Sequence, residues 1–179
     1  MRTETGPRQE LLILFIGGRQ QGRALLSPWS RFLLTSGRQG GNMKRFRQTI
    51  RVMFSDCDPA QIVFYPSYFR WFDRATQQMF TDVGLPWSKF WPERGMAGLP
   101  LVNASAKFSG PARMDDEIVL ESWIDEWRGR TFIVKHVITK DGRTIVEGQE
   151  IRVWATKDAA SPEGIKAAAI PDDIKAMFE

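Results

Sequence analysis

Residues 54–72 read Phe54-Ser55-Asp56-Cys57-Asp58-Pro59-Ala60-Gln61-Ile62-Val63-Phe64-Tyr65-Pro66-Ser67-Tyr68-Phe69-Arg70-Trp71-Phe72. Two acids, Asp56 and Asp58, fall in a turn just after a strand-like run, and seven residues beyond Asp58 a helix opens at Tyr65-Pro66. Proline suits the first turn of a helix, where its missing N–H has no internal partner to lose. Phe69, Phe72, Thr76, Met79, Phe80 and Val83 then recur at steps of three and four, Gly84 offers a C-terminal glycine, and Pro86 bars continuation. The spacing predicts a helix of about eighteen residues, about 27 Å long. Its first amides are unpaired donors with partial positive charge. A carboxylate held beside them is the minimum apparatus for attack on a polarised carbonyl.

Upstream, Phe46–Phe54 alternates, with Phe46, Gln48, Ile50, Val52 and Phe54 on one side, as a half-buried strand does. Downstream, a second short helix is expected over 87–93, and strands over 101–109, 117–127, 130–139 and 144–155. In the second of these, Ile118, Leu120 and Ile124 alternate against Val119, Trp123 and Trp127. Lys140-Asp141-Gly142-Arg143 carries the Asp-Gly pair of a tight hairpin. Sequential strands joined by short turns pair antiparallel, so the economical fold is one curved antiparallel sheet around one long helix. Residues 171–178 read as a short terminal helix.

At 179 residues the chain fits one domain plus an extension. Residues 1–42 carry six arginines against two glutamates and so hold all of the net charge of +4. The rest is neutral, and the basic balance does not argue for nucleic acid as a partner. The apolar runs at 11–16 and 32–34 are too short to span a membrane. Residues 1–42 are expected to be a poorly ordered basic extension, or an over-extended reading of a start at Met43, and residues 43–179 the domain. One cysteine, Cys57, allows no intrachain disulfide and suits the cytoplasm. With a single histidine, His136, neither a Ser-His-Asp triad nor a multi-His metal site is expected. His136 reads as a satisfied strand residue, Cys57 as a small packed residue, and Asp56 as a turn former.

The run Asp56-Cys57-Asp58-Pro59-Ala60-Gln61-Ile62-Val63-Phe64-Tyr65-Pro66-Ser67-Tyr68 closely resembles the 4-hydroxybenzoyl-CoA thioesterase family. The likeness continues in Arg70-Trp71-Phe72-Asp73, Gly84-Leu85-Pro86-Trp87, Glu93-Arg94-Gly95 and Gly98-Leu99-Pro100-Leu101-Val102. It resumes in Glu126-Trp127-Arg128-Gly129-Arg130 and Glu150-Ile151-Arg152-Val153. It covers residues 43–179 and none of the extension. The resemblance implies an α+β hot-dog fold, a long central helix wrapped by a curved antiparallel sheet, in a homodimer or homotetramer with sites between subunits. It implies that Asp58 is the catalytic carboxylate and that the Tyr65 amide polarises the thioester carbonyl. Trp87, Leu99, Pro100 and Leu101 would lie around the substrate, and Arg128 and Arg130 would meet CoA phosphates. The implied activity is hydrolysis of an aromatic acyl-CoA such as 4-hydroxybenzoyl-CoA, with CoA as leaving group and no metal or redox cofactor. A short-chain aliphatic acyl-CoA substrate and a non-catalytic acyl-CoA-binding protein are the alternatives. One departure stands out: where the family commonly has glycine after Asp-Pro-Ala, this chain has Gln61, a long amide beside the expected acyl pocket. The Tyr65-Pro66-Ser67-Tyr68 run favours the aromatic-acyl branch over the cell-envelope acyl-CoA thioesterases, which carry His-Ala-Asn-Tyr there.

Overall fold

The computed structural model describes residues 43–179, and the extension expected over 1–42 lies outside the described residues. The order is β1 (Phe46–Arg51), α1 (Tyr65–Asp82), α2 (Trp87–Glu93), β2 (Met96–Gly98), β3 (Leu101–Phe108), β4 (Glu117–Arg128), β5 (Thr131–Lys140), β6 (Arg143–Val153), β7 (Ala155–Lys157), β8 (Ile165–Ala167) and α3 (Asp172–Ala176). Five strands form an antiparallel sheet in the order β1-β4-β5-β6-β3. This sheet and α1 make the hot-dog arrangement. α1, α2 and β3 to β6 lie within two residues of their expected bounds.

The apolar stripe of α1 is what the sheet curves around. Phe72 and Phe80 are fully buried, Phe72 stacking on the His136 ring at 4.5 Å and Phe80 meeting Phe132 at 6.0 Å. The helix therefore lies along β5, with its first turns at the Phe108 end of the sheet, where Tyr68 packs on Phe108, and its last turns at the Phe132 end. Close approach is allowed by Gly148 on β6, opposite His136 and Ala106. A Cβ added there would drive into the Phe72 ring, which is walled in on all sides. Gly148→Ala is expected to lower stability by about 1–3 kcal/mol through overpacking. Urea unfolding checks this: the midpoint should drop with the slope unchanged.

Three expectations need correction. Phe54 is not on the buried side of β1: the strand ends at Arg51, residues 54–56 form a 3-10 turn, and Phe54 is 81% exposed. The Asp56 carboxylate accepts the Met53 N–H and turns the chain out of the sheet. Trp127 does not stay on the outer face of β4. The β4–β5 register slips by one residue between Ile124 and Glu126, a bulge that swings Trp127 onto Phe132 and Phe178. Lastly, β2, β7 and β8 form a second small sheet; at three residues each they are too short to show a period. No helix among the described residues is long and apolar enough to cross a membrane.

Candidate active site

Asp58 sits in a loop closed on itself ahead of α1. A bridge between Cys57 and Val63 forms its neck, Asp58 N–H donates to Ile62 O (3.0 Å), and Gln61 N–H donates to Asp58 O (2.8 Å). Asp58 Oδ1 accepts the Ala60 N–H at 2.8 Å, an Asx turn that fixes the side chain. Its Oδ2 has no hydrogen-bond partner among the described residues. Gln61 takes φ +61°. That left-handed conformation is one glycine adopts without strain and other residues adopt at a cost of about 1 kcal/mol, a physical reason for glycine at this position in the resembled family.

The loop is seated on the start of α1 by Asp56. Its carbonyl accepts Phe64 N–H (2.8 Å) and Ser67 Oγ–H (3.1 Å), and its carboxylate accepts Met53 N–H (3.0 Å) and Arg70 Nη2 (3.3 Å). Every polar atom of Asp56 that can accept is thus engaged in joining turn to helix, the structural role read from the sequence. In the first turn of α1, Pro66 has no N–H and Ser67 N–H is bonded to Phe64 O. Tyr65 N–H has no acceptor among the described residues, leaving one free donor at the positive end of an eighteen-residue helix.

A cleft of about 390 Å³ runs from this point along α1. Pro66, Phe69, Asp73 and Arg74 line the helix side, and Leu101, Ala104 and Glu150 the sheet side. Of the residues expected around the substrate, Leu101 is half exposed on the cleft wall, Pro100 is exposed, and Leu99 is buried in the core just behind it. Trp87 lies elsewhere. It opens α2 beyond the far end of α1, stacked on Trp91 at 4.8 Å and against Phe80 at 6.2 Å, so within one chain about 27 Å of helix separates it from the Asp58 loop. Arg128 and Arg130 flank Gly129 in the β4–β5 turn, also at the Phe132 end of the sheet. Arg128 is paired with Glu126 at 2.7 Å, and Arg130 has no ion-pair partner among the described residues. A single chain therefore sets Asp58, Gln61 and Tyr65 at one end of α1 and Trp87, Arg128 and Arg130 at the other, with Leu101, which pairs with Arg152, on the cleft wall toward the Phe132 end.

Sequence reading missed the polar cluster beneath the cleft. Glu150 and Arg152 project inward from β6 and are 2% and 4% exposed. Arg152 grips Glu150 through Nε and Nη2, both at 3.0 Å, and Thr76 Oγ1 donates to Glu150 Oε2 at 2.7 Å. His136 Nε2 lies 3.5 Å from the same oxygen, and its Nδ1 shares a hydrogen bond with Ser122 Oγ. Burial by itself would push the Glu150 carboxyl up, but His136 and Arg152 outweigh it and hold it down at about 2. Burial lowers His136 below its usual value despite the pull of Glu150. The cue was available: in a strand facing the core, Glu150 and Arg152 occupy inward positions where apolar residues are the rule.

Both shifts have the same consequence in acid. A depressed histidine destabilises the fold as pH falls below its unfolded value near 6.5, because the unfolded chain then binds the extra proton. Glu150 adds stability that is complete above its unfolded value near 4.5 and is lost as pH falls toward about 2. Stability should thus decline in two stages, below about pH 6.5 and again below about pH 4.5. Urea midpoints across pH 8 to 3 measure this, and Ser122 and His136 have no part in the acid response if the profile is flat between 7 and 5.

The thioesterase-like superfamily model matches residues 52–178. The 4-hydroxybenzoyl-CoA thioesterase of Pseudomonas sp. strain CBS-3 is 38% identical over 129 residues, covering 69% of this chain and 89% of the relative. A solved structure of the 4-hydroxybenzoyl-CoA thioesterase from that strain superposes with a TM-score of 0.69 at 36% identity, covering 75% of this chain and 99% of that one. The structure of a gentisyl-coenzyme A thioesterase gives a TM-score of 0.62 at 33% identity, over 74% and 98% of the two chains. A closed acidic loop on the open end of a helix, in a hot-dog frame, is the architecture of a thioester hydrolase. The chain belongs to the thioesterase-like superfamily.

Proposed function

We propose that this protein hydrolyses an aromatic acyl-CoA of the 4-hydroxybenzoyl type to the free acid and CoA. The observation that carries the reading is the pairing of Asp58, one carboxylate oxygen unengaged, with the free Tyr65 N–H at the N-terminus of α1. The thioester carbonyl oxygen accepts from Tyr65 N–H, and the helix dipole favours the negative charge that develops on it. Asp58 then acts in one of two ways. As nucleophile it forms a mixed anhydride and expels CoA thiolate, and water cleaves the anhydride; as general base it takes a proton from the attacking water. In a single turnover in ¹⁸O-water, label in the Asp58 carboxylate establishes the first route, with water attacking the Asp58 acyl carbon of the anhydride. The aromatic preference draws on the Tyr-Pro form of the helix start and on the named activity of the 38%-identical relative. CoA enters only as part of the substrate, and neither route calls on a metal or redox group. A panel of aryl- and alkyl-CoA esters, followed by release of free thiol, tests the reading. Hydrolysis of the aliphatic esters alone would replace the aromatic assignment, and none at all would leave an acyl-CoA-binding protein.

Oligomerisation belongs to the same proposal. β3 is an edge strand with Leu101, Val102 and Phe108 exposed. The other edge, β1, carries Arg45 and Arg47, paired to Glu121, and Arg51, paired to Asp115. Charge guards β1 against further pairing and leaves β3 open to it. A two-fold axis at β3 runs the two edges antiparallel, which sets the Phe108 end of one chain beside the Leu101 end of its partner. The Asp58 loop of one subunit then lies toward the end of its partner that carries the Arg128–Arg130 turn. The compartment consistent with one unpaired cysteine is the cytoplasm.

Arg128→Ala with Arg130→Ala is expected to raise KM for the acyl-CoA about tenfold or more while changing kcat little, as loss of uniform binding does. The effect should vanish for the matching pantetheine thioester, which lacks the nucleotide. Equal losses on both substrates would remove these arginines from the CoA site.

A further inference from the structure

We infer that Arg152 is a positioning residue that fixes the width of the cleft between α1 and β3 and so decides which acyl group fits. The inference rests on the thioesterase reading above and extends it to a residue that lies behind the cleft.

Arg152 ties both walls together. Nη2 bonds Asp73 Oδ1 at 2.6 Å on the helix wall, and Nη1 bonds Leu99 O at 3.1 Å on the segment that leads into Leu101 on the sheet wall. Its remaining contacts go to Glu150 on the cleft floor, which Thr76 holds from α1. A planar guanidinium with five donors in a fixed fork can hold these three acceptors at set angles; an ammonium cannot. Since Arg152 is 4% exposed and does not itself line the cleft, its effect on an acyl group passes through Asp73, Glu150 and Leu101. The Asp58 loop and Tyr65 N–H share no hydrogen bond with this cluster, so fit can change while the reacting groups stay in place.

The test uses the full chain and its Arg152→Lys variant, with 4-hydroxybenzoyl-CoA, benzoyl-CoA and acetyl-CoA as probes. The expected result is that kcat/KM for the aryl esters relative to acetyl-CoA falls at least tenfold, carried mainly by KM, with the acetyl-CoA value within about threefold of wild type. A merely structural arginine would lower all three in proportion to the loss of folded protein, which would overturn the inference. Thr76→Val, an isosteric change behind the cleft, guards against an unfolded lysine variant. It loosens Glu150 and should shift the ratio in the same direction by about threefold, and an unchanged ratio there also counts against the inference. Calorimetric affinities for S-(4-hydroxyphenacyl)-CoA and for CoA alone separate this idea from the proposed activity. If the wild-type protein turns over none of the esters yet Arg152→Lys loses the preference for the aryl thioether, the hydrolase reading fails and the positioning role stands. If the preference is intact, the positioning role fails.

Discussion

Asp58→Asn is expected to lower turnover by at least about 10²-fold, the lower range for losing a general base, and by more if Asp58 is the nucleophile. Asparagine keeps an oxygen for the Ala60 N–H, so the Asx turn and the loop survive. What is lost is the charge on the oxygen that has no partner among the described residues. Affinity for an acyl-CoA ester should persist, because the donor to the carbonyl is the Tyr65 backbone. Asp56→Asn gives the contrast. Its carboxylate takes the Met53 N–H and Arg70, so the change should lower stability by about 1–2 kcal/mol, with activity following the folded fraction. Steady-state rates and urea midpoints on both variants decide the matter. Normal kcat in Asp58→Asn with loss in Asp56→Asn would reverse the roles of the two acids, and normal kcat in both would end the catalytic reading of the loop.

The placement of these two acids beside a helix start was legible because each has a local cause. Asp-Pro sets a turn, Tyr-Pro starts a helix, and the distance between them in sequence is short, so loop and helix start meet by necessity. The same holds for α1 and the four long strands, whose periods repeat often enough to be read. Trp127 escaped because one extra residue, Asp125, shifts the phase of β4, and nothing in a list of side chains marks a bulge. Phe54 escaped because a hydrogen bond from Met53 to Asp56, not hydrophobic alternation, ends β1. Glu150 and Arg152 were quoted only as part of a family motif. Their meaning depends on Asp73 and Thr76 of α1, Leu99 ahead of β3 and His136 of β5, three separate stretches of chain. The arginine turn and the Asp58 loop illustrate the opposite limit. Both were read from sequence as parts of one site, yet a single chain holds them at opposite ends of α1, so that the one site proposed for them would need a second copy.

A site shared in this way is measurable by mixing. Each site of a two-fold dimer paired through β3 would take Asp58 from one chain and Arg128 with Arg130 from the other. An Asp58→Asn chain and an Arg128→Ala, Arg130→Ala chain are each expected to be poor enzymes at substrate concentrations below KM. Unfolded together and refolded at equal amounts, about half of the dimers would be mixed, and each mixed dimer holds one site with no lesion. About a quarter of wild-type kcat/KM should therefore return, well above the mean of the two parents. If each chain builds its whole site alone, no mixture contains an intact site and the activity stays at that mean. Val102→Lys addresses the same edge from the other side. A lysine on exposed β3 keeps the monomer folded and opposes strand pairing. Sedimentation should then report single chains, circular dichroism an unchanged fold, and the acyl-CoA assay a loss in kcat/KM of at least about tenfold, since the carboxylate would be left without its CoA anchor. A monomeric Val102→Lys protein with full activity would place the whole site within one chain and refute the shared site.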